Sequence, residues 1–130
     1  MSYIPPGAKW WLADIIVEFR IEGDPGSLVH YNLTLIRADS AEQAYSKALA
    51  RGAEFADTYT NTDGRQVQVI FRGLRDLFVV YEELEDGAEL LYEEKENAFE
   101  VEILASIRGK EALAVFAASA EPAGGVQSGG

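Results

Sequence analysis

Hydrophobic and polar residues alternate most regularly between Trp11 and Ile21. The odd positions of this stretch are all apolar, whereas its even positions include Asp14, Glu18 and Arg20. Successive side chains of a β-strand point to opposite faces of the sheet, so a period of two predicts a strand with one face on a core and the other toward water. We take this strand as the element around which the rest of the fold is organised.

A second strand is predicted over residues 28–38, after the turn-forming segment EGDPGS. Val29, Tyr31, Leu33 and Leu35 at odd positions are apolar, whereas His30, Asn32 and Thr34 at even positions are polar. If both strands turn their apolar residues to one core, odd positions must lie opposite odd positions. This register predicts that His30 lies on the polar face of the sheet, beside Glu18.

A helix is predicted over about residues 40–52. Ser40 and Gln43 have the spacing of a capping box, in which the two side chains satisfy free backbone amides at the start of a helix. Gly52 is expected to end the helix. Apolar residues recur at helical spacing on the side expected to cover the first strand, namely Ala41, Ala44, Tyr45, Ala48 and Leu49.

Further short strands are predicted in the second half of the chain, with a bulge or bend at Gly73. They cover the alternating residues around 67–71, the apolar run at 77–81 and the segment 89–94, with turns at 61–64 and 86–87.

From residue 98 onward two signals conflict. Alternation favours a strand to about Ile107, whereas the abundance of Glu and Ala favours a helix. We favour the strand, a turn at residues 109–110, and a closing segment at 112–118 that is strand or helix.

These elements predict an α+β fold. Its mostly antiparallel sheet has about five to seven strands, with one main helix packed on one face, in the order β-β-α-β-β-β. Residues 1–118 are expected to form a single domain, which is long enough to bury a core without disulfides or metals. Residues 119–130, rich in Gly, Ala and Ser, are predicted to be a disordered tail.

Negative charge is concentrated in one part of the chain, which we call the acidic segment, Glu82–Glu102. It holds ten acidic residues against the single base Lys95, a charge of −9, out of a total of −11 for 130 residues. This balance argues against nucleic acid and anionic membrane surfaces as ligands, because both attract cationic proteins. No apolar run is long enough for a membrane span or a signal peptide, so we expect a cytoplasmic protein. The charge permits a basic protein partner, and the alternative is that the acidic segment is a solvated surface.

The sequence contains few residues suited to catalysis. There is no cysteine, and His30 is the only histidine. No Gly-rich phosphate motif, nucleophile elbow or calcium-loop spacing is present. We therefore predict no catalytic residues, no metal site and no cofactor.

Four motifs give the chain a family resemblance. In order they are KWWLADIIVEF, LIRADSAEQAYSKAL, YTNTDGRQV and FRGLRDLFVVYEELEDGAELLYEE, and together they span about residues 9–94. This order resembles an uncharacterised bacterial family, the domain-of-unknown-function family numbered 4288. The resemblance implies a small stand-alone bacterial protein without an assigned activity, and it says nothing about the chain after Glu94.

The predicted function is that of a small protein-interaction module, of the immunity or inhibitor type, that binds a basic partner. Two alternatives stay open: a small-molecule or metal-dependent enzyme that uses His30 with Glu18 and Asp14, and a homo-oligomer without a ligand. The candidate binding residues come from the polar face of the sheet and from the acidic segment: Trp10, Asp14, Glu18, Arg20, His30, Asn32, Gln68, Arg72, Glu82, Glu83, Glu85, Glu93 and Glu94. Trp and Arg are favoured anchors of protein interfaces.

Overall fold

The computed structural model describes residues 3–117. They form two compact units, one ending at Tyr92 and the other beginning at Glu93. The single domain expected over residues 1–118 stays a prediction. The tail predicted at 119–130 lies outside the described residues.

The first unit is a four-stranded antiparallel sheet with one long helix, which confirms the α+β class and the antiparallel pairing. The strands lie in the order β2-β1-β4-β3, so β2 and β3 form the two edges. The predicted number of five to seven strands is wrong, and so is the predicted order β-β-α-β-β-β, because short helices follow the second strand after the long helix. The elements are β1 (Trp10–Ile21), β2 (Leu28–Arg37), α1 (Ala41–Ala53), β3 (Asp57–Thr60) and β4 (Gln66–Val79).

The predicted strand number is too high because β4 is continuous where two strands were predicted and because residues 89–94 and 99–107 form no strands, whereas β3 was not predicted. Gly73 has a φ of +134° within β4, and the register against β1 shifts between Asp14 and Ile15 and again between Ile16 and Val17. The predicted irregularity at Gly73 is therefore confirmed, but it bends the strand without ending it. The segment 89–94 forms no strand, and its dense glutamates are poor strand formers.

The core lies between α1 and one face of the sheet, which we call the inner face. Ile15 and Val17 of β1 are fully buried there, as the alternation in β1 predicts. Ala44 and Ala48 of α1 pack against them, and their small side chains allow the helix to lie close to the sheet. The outer face is the opposite side of the same sheet.

The start of α1 confirms the predicted cap. The hydroxyl of Ser40 accepts a hydrogen bond from the backbone amide of Gln43 at 3.1 Å. The side chain of Gln43 accepts in turn from the backbone amide of Asp39 at 2.6 Å, one residue earlier than in the standard capping box. Tyr45, expected on the buried side of the helix, is exposed.

Gly52 does not end α1, which continues to Ala53. A Cβ atom at this buried position would lie only 2.3 Å from Cε1 of Phe71 on β4. Glycine is needed at position 52 because the helix backbone lies against the Phe71 ring, and the prediction of a helix stop is wrong.

The second unit contains short helices where a strand was favoured. They are α2 (Glu100–Ser106), a 3₁₀ turn (Lys110–Ala112) and α3 (Ala114–Ala117). The strand predicted to about Ile107 is therefore wrong, and the closing segment is helical in its described part. None of the residues of α2 is buried. This segment pairs with no strand within residues 3–117, and its conformation follows the helix propensity of Glu, Leu and Ala.

The register between β1 and β2 also differs from the prediction. Val17 lies opposite His30, and Ile16 lies opposite Tyr31, so odd positions of one strand pair with even positions of the other. Directly opposite residues share a face of the sheet. The polar even residues of β2 consequently lie on the inner face, and its apolar odd residues lie on the outer face.

Candidate functional site

The outer face carries a row of large apolar side chains that are not covered. We call this row, Val29, Tyr31, Leu33 and Leu35 of β2, the apolar strip. Tyr31 is 49% exposed and Leu33 is 57% exposed. Neighbouring β1 places Leu12, which is buried, and the partly buried Ile16 opposite members of the strip. Soluble monomers rarely expose contiguous apolar side chains, and such patches mark interaction sites.

A buried carboxylate lies at the centre of the outer face. Asp14 is only 5% exposed, and its Oδ2 accepts a hydrogen bond from Nε of Arg75 at 2.8 Å. The guanidinium of Arg75 lies 3.9 Å from the centre of the Tyr31 ring. This stack of Asp14, Arg75 and Tyr31 restrains two side chains of the types that anchor protein interfaces.

The other oxygen of Asp14, Oδ1, is buried and has no hydrogen-bond partner among the described residues. A buried acceptor without a partner costs about 1 to 3 kcal/mol. The outer face therefore carries one buried carboxylate oxygen at its centre that forms no hydrogen bond among the described residues.

Glu18 forms a second polar cluster, farther along β1. Its carboxylate accepts from the Ser27 hydroxyl at 2.6 Å, from Arg20 at 3.1 Å and from Arg72 at 3.0 Å. The hydrogen bond from Ser27, followed by that from Arg20, lowers the pKa of Glu18 below its ordinary value. Both carboxylate oxygens are thus engaged, so Glu18 connects β1 to β4 and keeps the two arginines on the outer face.

Two more of the predicted residues lie on this face. The Arg37 guanidinium is 5.5 Å from the centre of the Trp10 ring, at the end of the sheet where β2 ends. Gln68 lies opposite Arg20 near the other end. The structure therefore brings together six of the predicted residues on the outer face: Trp10, Asp14, Glu18, Arg20, Gln68 and Arg72.

His30 and Asn32 were predicted on the same face as Glu18, and this is wrong. They lie opposite Val17 and Ile15, on the inner face. The ring of His30 packs against Phe19 with 4.7 Å between ring centres. The sheet thus separates His30 from Glu18 and Asp14, the residues with which an enzyme site was postulated.

The acidic segment begins where β4 ends. The backbone amide of Val80 donates to the carbonyl of Trp10 at 2.9 Å, so the chain leaves the sheet beside the start of β1. Glu82, Glu83 and Glu85 follow there and are exposed. The remaining predicted acidic residues, Glu93 and Glu94, are exposed members of the second unit.

Among the described residues of the acidic segment, one ion pair forms, between Lys95 and Glu102 at 3.3 Å. The other carboxylates of this segment therefore have no cation beside them in the part of the chain that the structure describes.

The sequence prediction missed three prominent residues of the outer face: Tyr31, Leu33 and Arg75. The first two were assigned to the core because apolar residues usually face inward. One signal pointed the other way, since Leu12 and Ile16 are apolar at even positions of β1. An apolar row on the same face of β2 would have matched them.

Residues 3–117 contain neither a membrane-spanning helix nor a metal-binding cluster of His, Asp and Glu side chains. None of the helices within residues 3–117 is both long and apolar enough to cross a membrane. Within the same residues, no group of three or more His, Asp or Glu side chains is arranged to hold a metal ion.

Fold and surface together define a small α+β domain whose sheet is covered on one face and carries an exposed apolar strip on the other. Comparison with known families identifies it: the chain belongs to the family described as Domain of unknown function (DUF4288), whose model matches residues 10–92. The matched range begins with β1 and ends with the first unit. Comparisons with curated proteins and with solved structures gave no match.

Proposed function

We propose that this protein is an interaction module whose outer face binds a basic protein partner. The observation that carries the proposal is the Asp14–Arg75–Tyr31 stack within an exposed apolar strip. Apolar area supplies most of the affinity of a protein interface, and Tyr and Arg held in a fixed geometry lose little entropy on binding.

The contacts within the stack restrain the side chains of Arg75 and Tyr31. Asp14 is buried in β1, and its hydrogen bond orients the Arg75 guanidinium, which then lies on the Tyr31 ring. Arg75 itself keeps 55% of its side chain exposed. A partner that covers the stack would exclude water from the Asp14–Arg75 hydrogen bond and strengthen it.

The charge of the partner follows from the acidic segment. Its exposed carboxylates begin at the end of the sheet that carries Trp10 and Leu12. Clustered negative charge accelerates encounter with a basic surface and disfavours acidic competitors. We therefore assign affinity to the apolar strip and partner selection to the acidic residues that follow β4.

The proposal is tested by affinity capture from a lysate of the source organism with matched variants. Leu33→Ser removes an apolar side chain from the outer face. Leu28→Ser is its control, because Leu28 is a similarly exposed leucine of the same strand that pairs on the inner face. A third bait replaces Glu82, Glu83 and Glu85 by glutamine.

We expect a basic protein that is retained by the wild type and by Leu28→Ser, and lost with Leu33→Ser. With the purified partner, calorimetry should show about a tenfold weaker Kd for Leu33→Ser. The glutamine variant should show a smaller dependence of Kd on salt, since exposed charges are screened. Equal retention by all baits, an acidic partner, or recovery of the protein alone would contradict the proposal.

A further inference from the structure

The edge strand β2 is open to pairing with another strand. Among the described residues, β2 pairs with β1 alone. Its stretch from Leu28 to Ile36 contains no charged residue, no proline and no glycine. Natural edge strands are usually blocked by such residues, by bulges or by being short. The other edge, β3, has only four residues and begins with Asp57, so it follows the usual pattern, whereas β2 does not.

The hydrogen bonds at the end of the strand show which backbone groups of β2 are free. The amide of Ala38 donates to the carbonyl of Lys9 at 2.8 Å, and these two residues continue the register in which Arg37 lies opposite Trp10. Hydrogen-bonded and non-hydrogen-bonded pairs alternate along an antiparallel ladder. Even residues of β2 therefore bond to β1, and odd residues direct their N–H and C=O groups away from the sheet.

The free stretch has defined ends. The carbonyl of Arg37 accepts a hydrogen bond from Nζ of Lys47 on α1, so that position is occupied. The outward backbone groups that remain belong to Val29, Tyr31, Leu33 and Leu35. These are the members of the apolar strip, and the stretch is centred on Asn32.

We propose that two copies of the chain pair antiparallel along β2, related by a two-fold axis at Asn32. Val29 of one copy then lies opposite Leu35 of the other, and Tyr31 lies opposite Leu33. Each outward residue exchanges two backbone hydrogen bonds with its opposite residue. The result is one continuous antiparallel sheet through both copies.

Side chains on both faces match under this two-fold axis. On the outer face, every cross-strand pair is apolar with apolar. On the inner face, His30 lies opposite Thr34, and Asn32 lies opposite Asn32, so polar residues meet polar residues. Such a self-matching pattern is what a two-fold interface requires of a single sequence.

Charge also allows a second copy at this edge. Each chain carries a net charge of −11, but the paired stretch is neutral. Two copies can therefore approach along β2 while their acidic segments contribute only long-range repulsion, which salt screens. The outer face stays open, and the two apolar strips lie side by side, so the proposal goes beyond partner binding and does not depend on it.

The first measurement is sedimentation equilibrium of the full chain over a range of protein and salt concentrations. We expect a monomer–dimer equilibrium in which the dimer becomes stronger as salt is added. A basic partner would show the opposite salt dependence, so failure of one proposal is distinguishable from failure of the other. A single-chain mass at every concentration would overturn the dimer.

The second measurement is amide hydrogen exchange of the wild type at low and high protein concentration. Amides of Tyr31 and Leu33 should be protected only at high concentration, whereas those of Asn32 and Thr34 should be protected at both, because they bond to β1. A dimer in which Tyr31 and Leu33 exchange as fast as in the monomer would overturn pairing along the edge.

A variant provides the third measurement. Leu33→Pro removes an outward N–H without removing a hydrogen bond to β1, and proline is tolerated in this way at sheet edges. We expect its dimer Kd to rise by more than about tenfold, while the control Leu33→Ala, which keeps the amide, dimerises with a smaller change. An unchanged dimer Kd for a folded Leu33→Pro would overturn the proposal. If this variant does not fold, the amide exchange pattern of the wild type decides whether β2 pairs in the dimer.

Discussion

The two faces of the sheet differ in what β2 contributes to them. On the inner face, β1 supplies fully buried apolar residues such as Ile15, while β2 supplies mainly polar ones such as His30. On the outer face, the apolar residues of β2 are exposed, and the polar residues of β1, Asp14 and Glu18, are held in hydrogen-bonded clusters. Burial against α1 makes the inner face the source of stability. The outer face has apolar area and oriented polar groups that the fold itself leaves uncovered.

The largest expected contrast between the faces comes from removing one apolar side chain from each. Ile15→Ala should lower the free energy of unfolding by about 2 to 5 kcal/mol, because it leaves a cavity in the core. Leu33→Ala, on the exposed strip, should change it by no more than about 0.5 kcal/mol. Urea unfolding at low protein concentration checks both. Equal losses would show that the outer face is also part of the core.

The contact between α1 and the inner face is tested at Gly52. Gly→Ala normally stabilises a helix by up to about 1 kcal/mol, but here the new Cβ would overlap the Phe71 ring. We expect Gly52→Ala to destabilise the protein by about 1 to 3 kcal/mol. In a Phe71→Ala background the same substitution should lose this penalty, which a double-mutant cycle in urea measures. A stabilising Gly52→Ala in the wild type would contradict the close packing.

The stack on the outer face predicts a measurable coupling between Asp14 and Arg75. Urea unfolding of Asp14→Asn, Arg75→Gln and the double variant should give a coupling of about 1 kcal/mol, since Asp14 is buried and its hydrogen bond is charge-assisted. The exposed pair Arg51 and Glu54 at the end of α1, joined at 3.1 Å, is the control. Its coupling should be only about 0.3 kcal/mol. Similar values for both pairs would show that burial of Asp14 adds nothing.

The smallest expected effect concerns the pKa of Glu18. Its pKa is lowered from 4.5, mainly by the Ser27 hydroxyl. A carboxyl group with a lowered folded-state pKa stabilises the protein above its unfolded-state pKa and loses this contribution as pH falls through the folded-state value. Ser27→Ala should therefore raise the pKa of Glu18 and reduce the loss of stability below about pH 4.3.

NMR titration of the Glu18 carboxyl measures this directly. Arg72→Gln should raise the pKa less than Ser27→Ala, because the charge of Arg72 contributes least among the causes. The reverse order would show that charge, and not the hydroxyl hydrogen bond, controls this cluster.

Local signals in the sequence were sufficient for the elements that depend on neighbours along the chain. The alternation in β1 gave the buried positions of that strand, and Ser40 with Gln43 gave the start of α1. The Asn61 turn was also predicted, and its side chain accepts from the amides of Asp63 and Arg65 at 3.0 and 2.9 Å. These interactions join residues close in sequence, so the residue types alone indicate them.

The apolar strip and the contact between Asp14 and Arg75 could not be predicted in this way. Arg75 reaches Asp14 across the sheet from a position 61 residues away, and no local pattern indicates such a contact. Alternation in residues 99–107 suggested a strand, but a strand needs a partner, and pairing is a property of the whole fold.

The sequence by itself determined the family, the α+β class, the first strand with its buried face and the long capped helix. Only the tertiary structure decided the register between β1 and β2, and with it the composition of the outer face. The physical reason is that alternation defines two faces within each strand but does not say which faces coincide. A shift of one residue moves every side chain of β2 to the other side, and the connection between the strands sets that shift.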